Sequence, residues 1–438
     1  MKALQRQLPI YSLVFANHRY FQSEEQYHQT LEALHQKMKE RVLNAELQQY
    51  TIDSGEALEK LLDENPSGFG LLTAVSGSVQ PWMLEIAKSF NAVGIFPGYN
   101  RDLMPESIAD TILELNGSPS TLEVYSVLKN RGTRVFWIDS FEDIGLLWSA
   151  MQAVDRLKHA RLLHIGGTES WVLSSNRDTD EIRRRLGLEI IELTLGDLYL
   201  YAGRMSEEAI EEEAQAWIEN ATELQEPEND DVFEASRVVE GLNYLLEEYD
   251  ADGASVACFS MLNDLETTSC LAMSSLNDHP EFIGACEGDL DAAATLMLVK
   301  ALTGKPVWMA NPIVESGNAV TFAHCTAPVH LGGGSAPFRL RSHHESGIGV
   351  SPEVELPIGK PVTLVRIGEN TSAMTVHVGE TVDSERRPTC RTQLRIALPS
   401  REEFLETSLG NHQIIVYGDY RAELRSCAEL LGLELRTD

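Results

Sequence analysis

The segment from Ala285 to Asn311, which reads ACEGDLDAAATLMLVKALTGKPVWMAN, constrains the fold of this chain more than any other. A short apolar run is followed by Asp289, a predicted helix cap, and apolar residues then recur with helical spacing until Gly304 stops the helix. A strand, a helix and a strand of these lengths predict a crossover unit, in which the two strands are parallel and their carboxyl ends share one sheet edge. We therefore expect Glu287 and Asn311 to face the same crevice.

The rest of the chain predicts two α/β regions and a β-rich region. Strands and helices alternate from Tyr11 to about Phe141, as in a doubly wound parallel sheet. A second alternating region begins at Arg161, and after about Leu331 short strand-like segments separated by turn residues replace most of the helical periodicity. The predicted fold is α/β, with two doubly wound, Rossmann-like parallel-sheet domains at residues 1–160 and 161–330, followed by a β-rich, barrel-like domain at residues 331–438.

The overall charge excludes several classes of partner. The chain has 67 Asp and Glu residues against 35 Lys and Arg, a formal charge of −32, which repels phosphate backbones and anionic membrane surfaces. We expect no nucleic-acid partner and no membrane partner, and no apolar stretch approaches the roughly 20 residues that span a bilayer. The acidic residues are densest between Ser206 and Asp252, which is typical of a solvated helical face; a cation-binding tail is the alternative.

The cysteines and the N-terminal residues predict a cytoplasmic protein. The six cysteines show no CxxC pairing and mostly lie in apolar runs, as expected of reduced core residues. The apolar run from Pro9 to Ala16 is short and lacks the cleavage pattern of a signal peptide, so it is better explained as a first sheet strand.

A hairpin predicted after Asn311 brings a histidine close to that residue. If Val314 pairs with Ala319, His324 lies diagonally across the hairpin from Asn311, at about 7–8 Å, with its side chain on the same face. In one interpretation Glu287, Asn311 and His324 then ring one cavity. In the other, His324 is a structural histidine of a strand.

At these residues the sequence resembles the L-fucose isomerase and L-arabinose isomerase superfamily. Glu287 in CEGD, followed by Asn311 after ALTGKPVWMA, is similar to the segment in which fucose isomerases place a metal-binding Glu and Asp. His412 in GNH is similar to the metal-binding His of that family, and His324 in AHCTAP resembles the His that arabinose isomerases use as a ligand. The resemblance is strongest from about Cys258 to Arg366, and the N-terminal domain agrees in pattern only.

The resemblance implies a metal-dependent aldose–ketose isomerase that acts on a free sugar through an enediol. Such a reaction needs a divalent ion on the sugar oxygens and a carboxylate that carries a proton between neighbouring carbons. The implied metal ligands are Glu287, His324, His412 and Asn311, with Glu287 and Asn311 as the catalytic candidates. Oxygen and imidazole ligands suit Mn²⁺ or Mg²⁺. The implied assembly is a homo-oligomer, a hexamer in that family, and the only implied partner is a small-molecule sugar.

One departure from the family's pattern leaves alternatives open. Asn311 stands where fucose isomerases have an Asp, and its amide adds no charge and cannot accept a proton as a carboxylate does. The alternatives are a divergent enzyme with altered chemistry, such as an epimerase or an enzyme of retro-aldol or sugar-acid reactions, and a non-catalytic sugar-binding protein. Glu345 and His343, beside a Gly-rich turn, are further candidates for contacts with the sugar.

Overall fold

The computed structural model describes residues 2–42 and 45–437. These residues divide into two units: one is residues 7–152, and the other combines the described residues on either side of it. The domain boundaries predicted near residues 160 and 330 stay predictions. No helix in this described part of the chain is long and apolar enough to cross a membrane.

The unit of residues 7–152 is built on a parallel sheet. Its strands are β1 (Ile10–Phe15), β2 (Leu47–Ile52), β3 (Phe69–Ala74), β4 (Ala92–Ile95) and β5 (Val135–Trp137). Its helices are α1 (Glu24–Arg41), α2 (Gly55–Asp63), α3 (Gln80–Ile86), α4 (Glu106–Glu114), α5 (Gly117–Asn130) and α6 (Phe141–Lys158), the last of which continues past residue 152. Among the described residues the strand order is β2-β1-β3-β4-β5, and every neighbouring pair is parallel. All residues of β3 and β4 are buried, as expected of strands covered on both faces.

A second parallel sheet lies in the other unit. Its strands are β6 (Arg161–Ile165), β7 (Glu189–Leu193), β9 (Gly253–Val256) and β10 (Ile283–Cys286), with β8 (Glu223–Leu224) outside it. The helices of this region are α7 (Thr179–Leu186), α8 (Leu195–Ala202), α9 (Glu207–Asn220), α10 (Asn229–Glu248), α11 (Cys258–Leu265), α12 (Cys270–Asp278) and α13 (Leu290–Thr303). The order β10-β9-β6-β7, with every pair parallel, confirms the predicted second doubly wound sheet.

The C-terminal strands close into an antiparallel barrel, which confirms the predicted β-rich, barrel-like region. The strands of the whole C-terminal region, in the barrel and beside it, are β11 (Trp308–Val314), β12 (Ala319–His324), β13 (Phe338–Arg341), β14 (Ser351–Val354), β15 (Pro361–Gly368), β16 (Ala373–Asp383), β17 (Thr392–Ala397), β18 (Gln413–Tyr417) and β19 (Glu434–Arg436). Its helices are α14 (Arg401–Thr407) and α15 (Arg421–Leu431). Among the described residues the barrel order is β15-β18-β11-β12-β17-β16, and β16 pairs back with β15. Strand β19 adds to β16 in parallel, and β14, β13 and β8 form a small separate sheet.

The predicted crossover from β10 to β11 is wrong. Strand β11 is antiparallel to both of its neighbours, β12 and β18, and belongs to the barrel rather than to the parallel sheet. The reason lies in α13, whose residues from Leu290 to Ala301 are all buried, because the helix packs between β9 and β10 on one side and β15 and β18 on the other. A helix between two sheets can lead the chain from one sheet into the other.

The predicted hairpin register is wrong by one residue. Val314 pairs with Val320 instead of Ala319, because the connection between β11 and β12 takes one residue more than expected, and Asn311 lies opposite Ala323. Since side chains alternate along a strand, Asn311 and His324 belong to opposite faces of the hairpin. Both nevertheless line one cavity at the strand ends, as described next.

Candidate metal centre

Glu287 occupies a turn that needs an unusual backbone. It follows β10 at the carboxyl end of the parallel sheet, is 8% exposed, and has φ +61°. Gly288 follows with φ +63°, and a Cβ there would lie 2.0 Å from the carbonyl oxygen of Gly167, in the loop after β6. A left-handed conformation at a residue with a side chain costs on the order of 1–3 kcal/mol and is found preferentially at functional sites.

Two histidines come from barrel strands on either side of β11. His324 is the last residue of β12, and His412 directly precedes β18. In β11, Ala310 pairs with Gln413 and Asn311 pairs with Ala323, so the two histidines lie at the same level of the barrel. Their ring centroids are 5.9 Å apart.

Glu287, His324 and His412 form a compact group of possible ligands. One donor atom of each lies within 4.8 Å of the donor atoms of the other two, and all three side chains are buried. Glu287 Oε1 lies 3.4 Å from His412 Nε2, while Glu287 Oε2 accepts a hydrogen bond of 2.8 Å from Trp171 Nε1. Nδ1 of His324 is 2.9 Å from Thr326 Oγ1, which leaves Nε2 as its remaining ring nitrogen.

The hydrogen bonds of His412 define which of its nitrogens is free. Its Nδ1 is 2.8 Å from Asp289 Oδ2, and that carboxylate also binds Arg366 Nη1 at 2.8 Å, so Asp289 is ionised and Nδ1 must be the donor. Among the described residues, His412 Nε2 has no hydrogen-bond partner although it is buried. A neutral His412 would therefore direct a lone pair at the Glu287 carboxylate, and a cation between them would satisfy both groups.

The same contacts shift the pKa values of these groups. Burial lowers the pKa of His412, but Asp289 and Glu287 outweigh burial and raise it to about 9. Burial raises the pKa of Glu287, but His412 and His324 bring it below its usual value. Burial, and then the charge of His412, lower the pKa of His324 to about 3. His324 is thus neutral at any physiological pH, whereas His412 would have to release a proton for a cation to bind at Nε2.

These residues fit a divalent cation. They offer one carboxylate oxygen and two imidazole nitrogens, and an orphaned buried nitrogen points into the group. His412 also carries the carboxylate partner on its second nitrogen that histidine ligands typically have.

The other predicted residues line the cavity beside this group. Asn311, His343 and Glu345 are among the residues that line the cavity. Asn311 Oδ1 accepts a hydrogen bond of 2.7 Å from Asn411 Nδ2. Burial and the neighbouring His344 lower the pKa of His343 to about 4. The structure thus places five of the six predicted residues at the cavity and the sixth, His412, against Glu287 and His324, and the roles assigned to them stay predictions.

Several residues at the centre were not assigned a role there by the sequence. Asp289 is confirmed as the cap of α13, since Oδ1 accepts from Ala292 N, but its second role toward His412 was missed. Arg366 was missed although it is a charged residue in the apolar run PVTLVRIG, a signal that an acid must be buried beside it. Trp171 lies in a loop with no pattern that could have identified it.

None of the six cysteines, all of which lie within the described residues, forms a disulfide; Cys258 is half-buried and the others are buried. Five of them, Cys258, Cys270, Cys286, Cys325 and Cys390, line the cavity. Their grouping around the candidate site was not predicted.

Two known proteins are similar to this chain. A sulfoquinovose isomerase from Alkalicoccus urumqiensis is 23% identical over 303 residues, which cover 67% of this chain and 68% of the relative. A sulfoquinovose isomerase from Clostridium sp. (strain MSTE9) is 27% identical over 179 residues, which cover 38% of this chain and 40% of the relative. No protein-family model matches the chain.

Among solved structures, a solute-binding protein of an ABC transporter from Burkholderia multivorans is 12% identical, and the match covers 59% of this chain and 84% of the solute-binding protein. The TM-score of this match is 0.18. The similarity to the two sugar isomerases, by contrast, confirms the predicted resemblance to the fucose and arabinose isomerases, and with it the prediction that the chain is an aldose–ketose isomerase.

Proposed function

We propose that this protein binds one divalent cation at Glu287, His324 and His412 and interconverts an aldose and a ketose through an enediol. One observation carries the proposal: the three side chains bring their donor atoms within 4.8 Å of one another in a chain that is similar to two sugar isomerases. The candidate ligands come from two different sheets and are far apart in the sequence, so their convergence is not a product of local structure.

The cation would be held by one carboxylate and two imidazoles, with Asn311 as a candidate neutral ligand. Bound there, it would polarise the carbonyl of the sugar and stabilise negative charge on neighbouring oxygens. Imidazole ligands favour Mn²⁺ over Mg²⁺, which prefers oxygen ligands and retains several waters. We therefore propose Mn²⁺ as the first cation to test.

The side chains of the protein supply position and proton transfer. Glu287 is the candidate that carries the proton between carbons, since it is a buried carboxylate that borders the cavity. Asp289 keeps His412 in the tautomer that presents Nε2, and Arg366 keeps Asp289 ionised. Asn311, His343 and Glu345 are candidates for hydrogen bonds to the sugar hydroxyls.

The relatives suggest where to look for the substrate. Both are named for sulfoquinovose, which makes this sugar the first to test, followed by pentoses and 6-deoxyhexoses. We also propose a cytoplasmic location, because the cysteines of the described residues form no disulfide, and a homo-oligomer, which the family resemblance implies to be a hexamer. Light scattering on the purified protein measures the oligomeric state.

The test is conversion of a sugar with defined metal content. The protein is stripped with a chelator, reloaded with Mn²⁺, and incubated with the sugar panel, and aldose and ketose are separated by chromatography. The proposal predicts conversion that disappears after stripping and returns with Mn²⁺. It also predicts that Glu287→Gln is inactive, whereas Glu281→Gln, which changes an acid before β10 that does not line the cavity, retains activity. Conversion that survives complete metal removal would refute the metal centre, and interconversion of epimers without a ketose would favour the divergent chemistry.

A further inference from the structure

We propose that Trp171 is a positioning residue for Glu287. Its indole N–H holds one oxygen of the Glu287 carboxylate, so that the other oxygen faces the metal centre. The inference rests on the proposed metal centre and deepens it. Trp171 Nε1 donates a hydrogen bond of 2.8 Å to Glu287 Oε2, and Oε1 of the same carboxylate lies 3.4 Å from His412 Nε2. The indole therefore determines which oxygen is available to a cation.

The loop that carries Trp171 is attached to the turn that carries Glu287. The backbone N–H of Glu169 donates to the carbonyl oxygen of Glu287 at 3.0 Å, and Thr168 Oγ1 donates to the carbonyl oxygen of Gly288 at 2.7 Å. The Glu169 carboxylate in turn accepts from the N–H of Ser260 at 2.8 Å, which ties the loop to α11. Loop and turn are thus one hydrogen-bonded assembly, in which the position of the indole is defined relative to the carboxylate.

The exposure of Trp171 distinguishes it from a core tryptophan. Its residue exposure is 53%, yet its N–H points to a carboxylate in a residue that is 8% exposed. The ring packs edge to face on Phe259, with centroids 5.3 Å apart, and Phe259 makes the same contact with His343 at 5.3 Å. Phe259 and His343 both line the cavity. The aromatic contacts fix the plane of the indole, so the direction of its N–H is set without burial of the ring.

The chain contains a matched control for a substitution that removes only the indole N–H. Trp217 also donates its N–H to a carboxylate, Glu213 Oε1 at 2.9 Å, and also packs edge to face on a phenylalanine, Phe338 at 5.5 Å. Neither Trp217 nor Glu213 lines the cavity of the metal centre. W171F and W217F therefore make the same chemical change at the metal centre and away from it.

The experiment measures Mn²⁺ affinity by calorimetry for the wild type, W171F and W217F. Loss of a group that orients a metal ligand typically weakens metal binding roughly 10–100-fold, so we expect this loss for W171F and wild-type affinity for W217F. As a second measurement, Mn²⁺ should quench a part of the tryptophan emission of the wild type that W171F lacks. The wild type alone shows whether Mn²⁺ binds beside a tryptophan, and W171F then shows whether that tryptophan is Trp171.

Each outcome has one meaning. The positioning role is overturned, while the proposed function stands, by any of three results. W171F binds Mn²⁺ as tightly as the wild type, both variants lose the same affinity, or Mn²⁺ leaves the tryptophan emission of the wild type unchanged. A wild-type protein that neither binds Mn²⁺ nor converts a sugar would overturn the proposed function and this inference with it. Weakening in W171F alone supports the role of Trp171.

Discussion

Replacement of Asp289 by Asn should destabilise the protein strongly, because it leaves a buried guanidinium without its charge partner. Asp289 and Arg366 are both fully buried, and their side chains meet through contacts of 2.8 and 3.3 Å. Removal of one partner of a buried ion pair costs about 3–5 kcal/mol. Asn keeps an oxygen that can accept from Ala292 N, so the helix cap contributes little to the loss.

The assay is the free energy of unfolding in urea, measured without added metal. The control is Asp419→Asn, which removes the acid of an exposed pair with Arg421 at 2.6 Å and should cost about 0–1 kcal/mol. The double variant Asp289→Asn with Arg366→Met should recover much of the loss, since replacement of both partners of a buried pair is often close to neutral. A single Asp289→Asn variant as stable as the control variant would show that the buried pair of Asp289 and Arg366 does not stabilise the protein.

Three further predictions concern the candidate metal ligands. Glu287→Gln should lower Mn²⁺ affinity, because it removes the only carboxylate of the candidate ligand set, and calorimetry that finds unchanged affinity would contradict its role as a ligand. Asn311→Asp should tighten Mn²⁺ binding by roughly tenfold, since ligand charge raises affinity for hard cations. The new carboxylate can still accept the hydrogen bond from Asn411 Nδ2. Unchanged or weaker Mn²⁺ binding would place residue 311 away from the ion. The pKa of His412 is raised from 6.5 to about 9. In the metal-free protein the protonated His412 therefore contributes about 3 kcal/mol to the free energy of unfolding. This contribution is complete below pH 6.5 and is lost as the pH rises through 9. Over the same interval Mn²⁺ affinity should rise with pH, because the cation displaces that proton; a flat profile in either measurement would contradict the assignment of His412.

The local structure around the site follows directly from the sequence. The cap at Asp289 and the end of α13 before Gly304, which adopts φ +63°, were both predicted from residue types alone. These features depend on hydrogen bonds within a few residues, and the chain contains all the necessary information in one segment.

The wrong predictions concern relations between segments. Periodicity identified β11 as a strand but did not show which sheet it joins, and that choice depends on the burial of α13 on all sides. The hairpin register depends on how many residues the connection takes, and one additional residue moved Asn311 to the other face.

The candidate site was only partly accessible from the residues themselves. Glu287 was identified as the residue after a strand, and His324 was placed near it by a hairpin register that is wrong by one residue. His412 was identified only through the family resemblance, because nothing in its neighbourhood indicates that β18 lies beside β11. The contacts of Trp171 and Arg366 with the site join residues distant in sequence, and only the three-dimensional structure brings them together.

Proton transfer by Glu287 is measured most directly as solvent deuterium exchange on the sugar that the wild-type protein converts. The Mn²⁺-loaded protein is incubated with that sugar in D₂O, and the mass of both recovered sugars is measured for the wild type and for Glu287→Gln. We expect one deuterium at the carbon next to the carbonyl for the wild type and none for the variant. Conversion without any deuterium would contradict a proton carrier that exchanges with solvent, and full exchange by Glu287→Gln would show that Glu287 does not carry the proton.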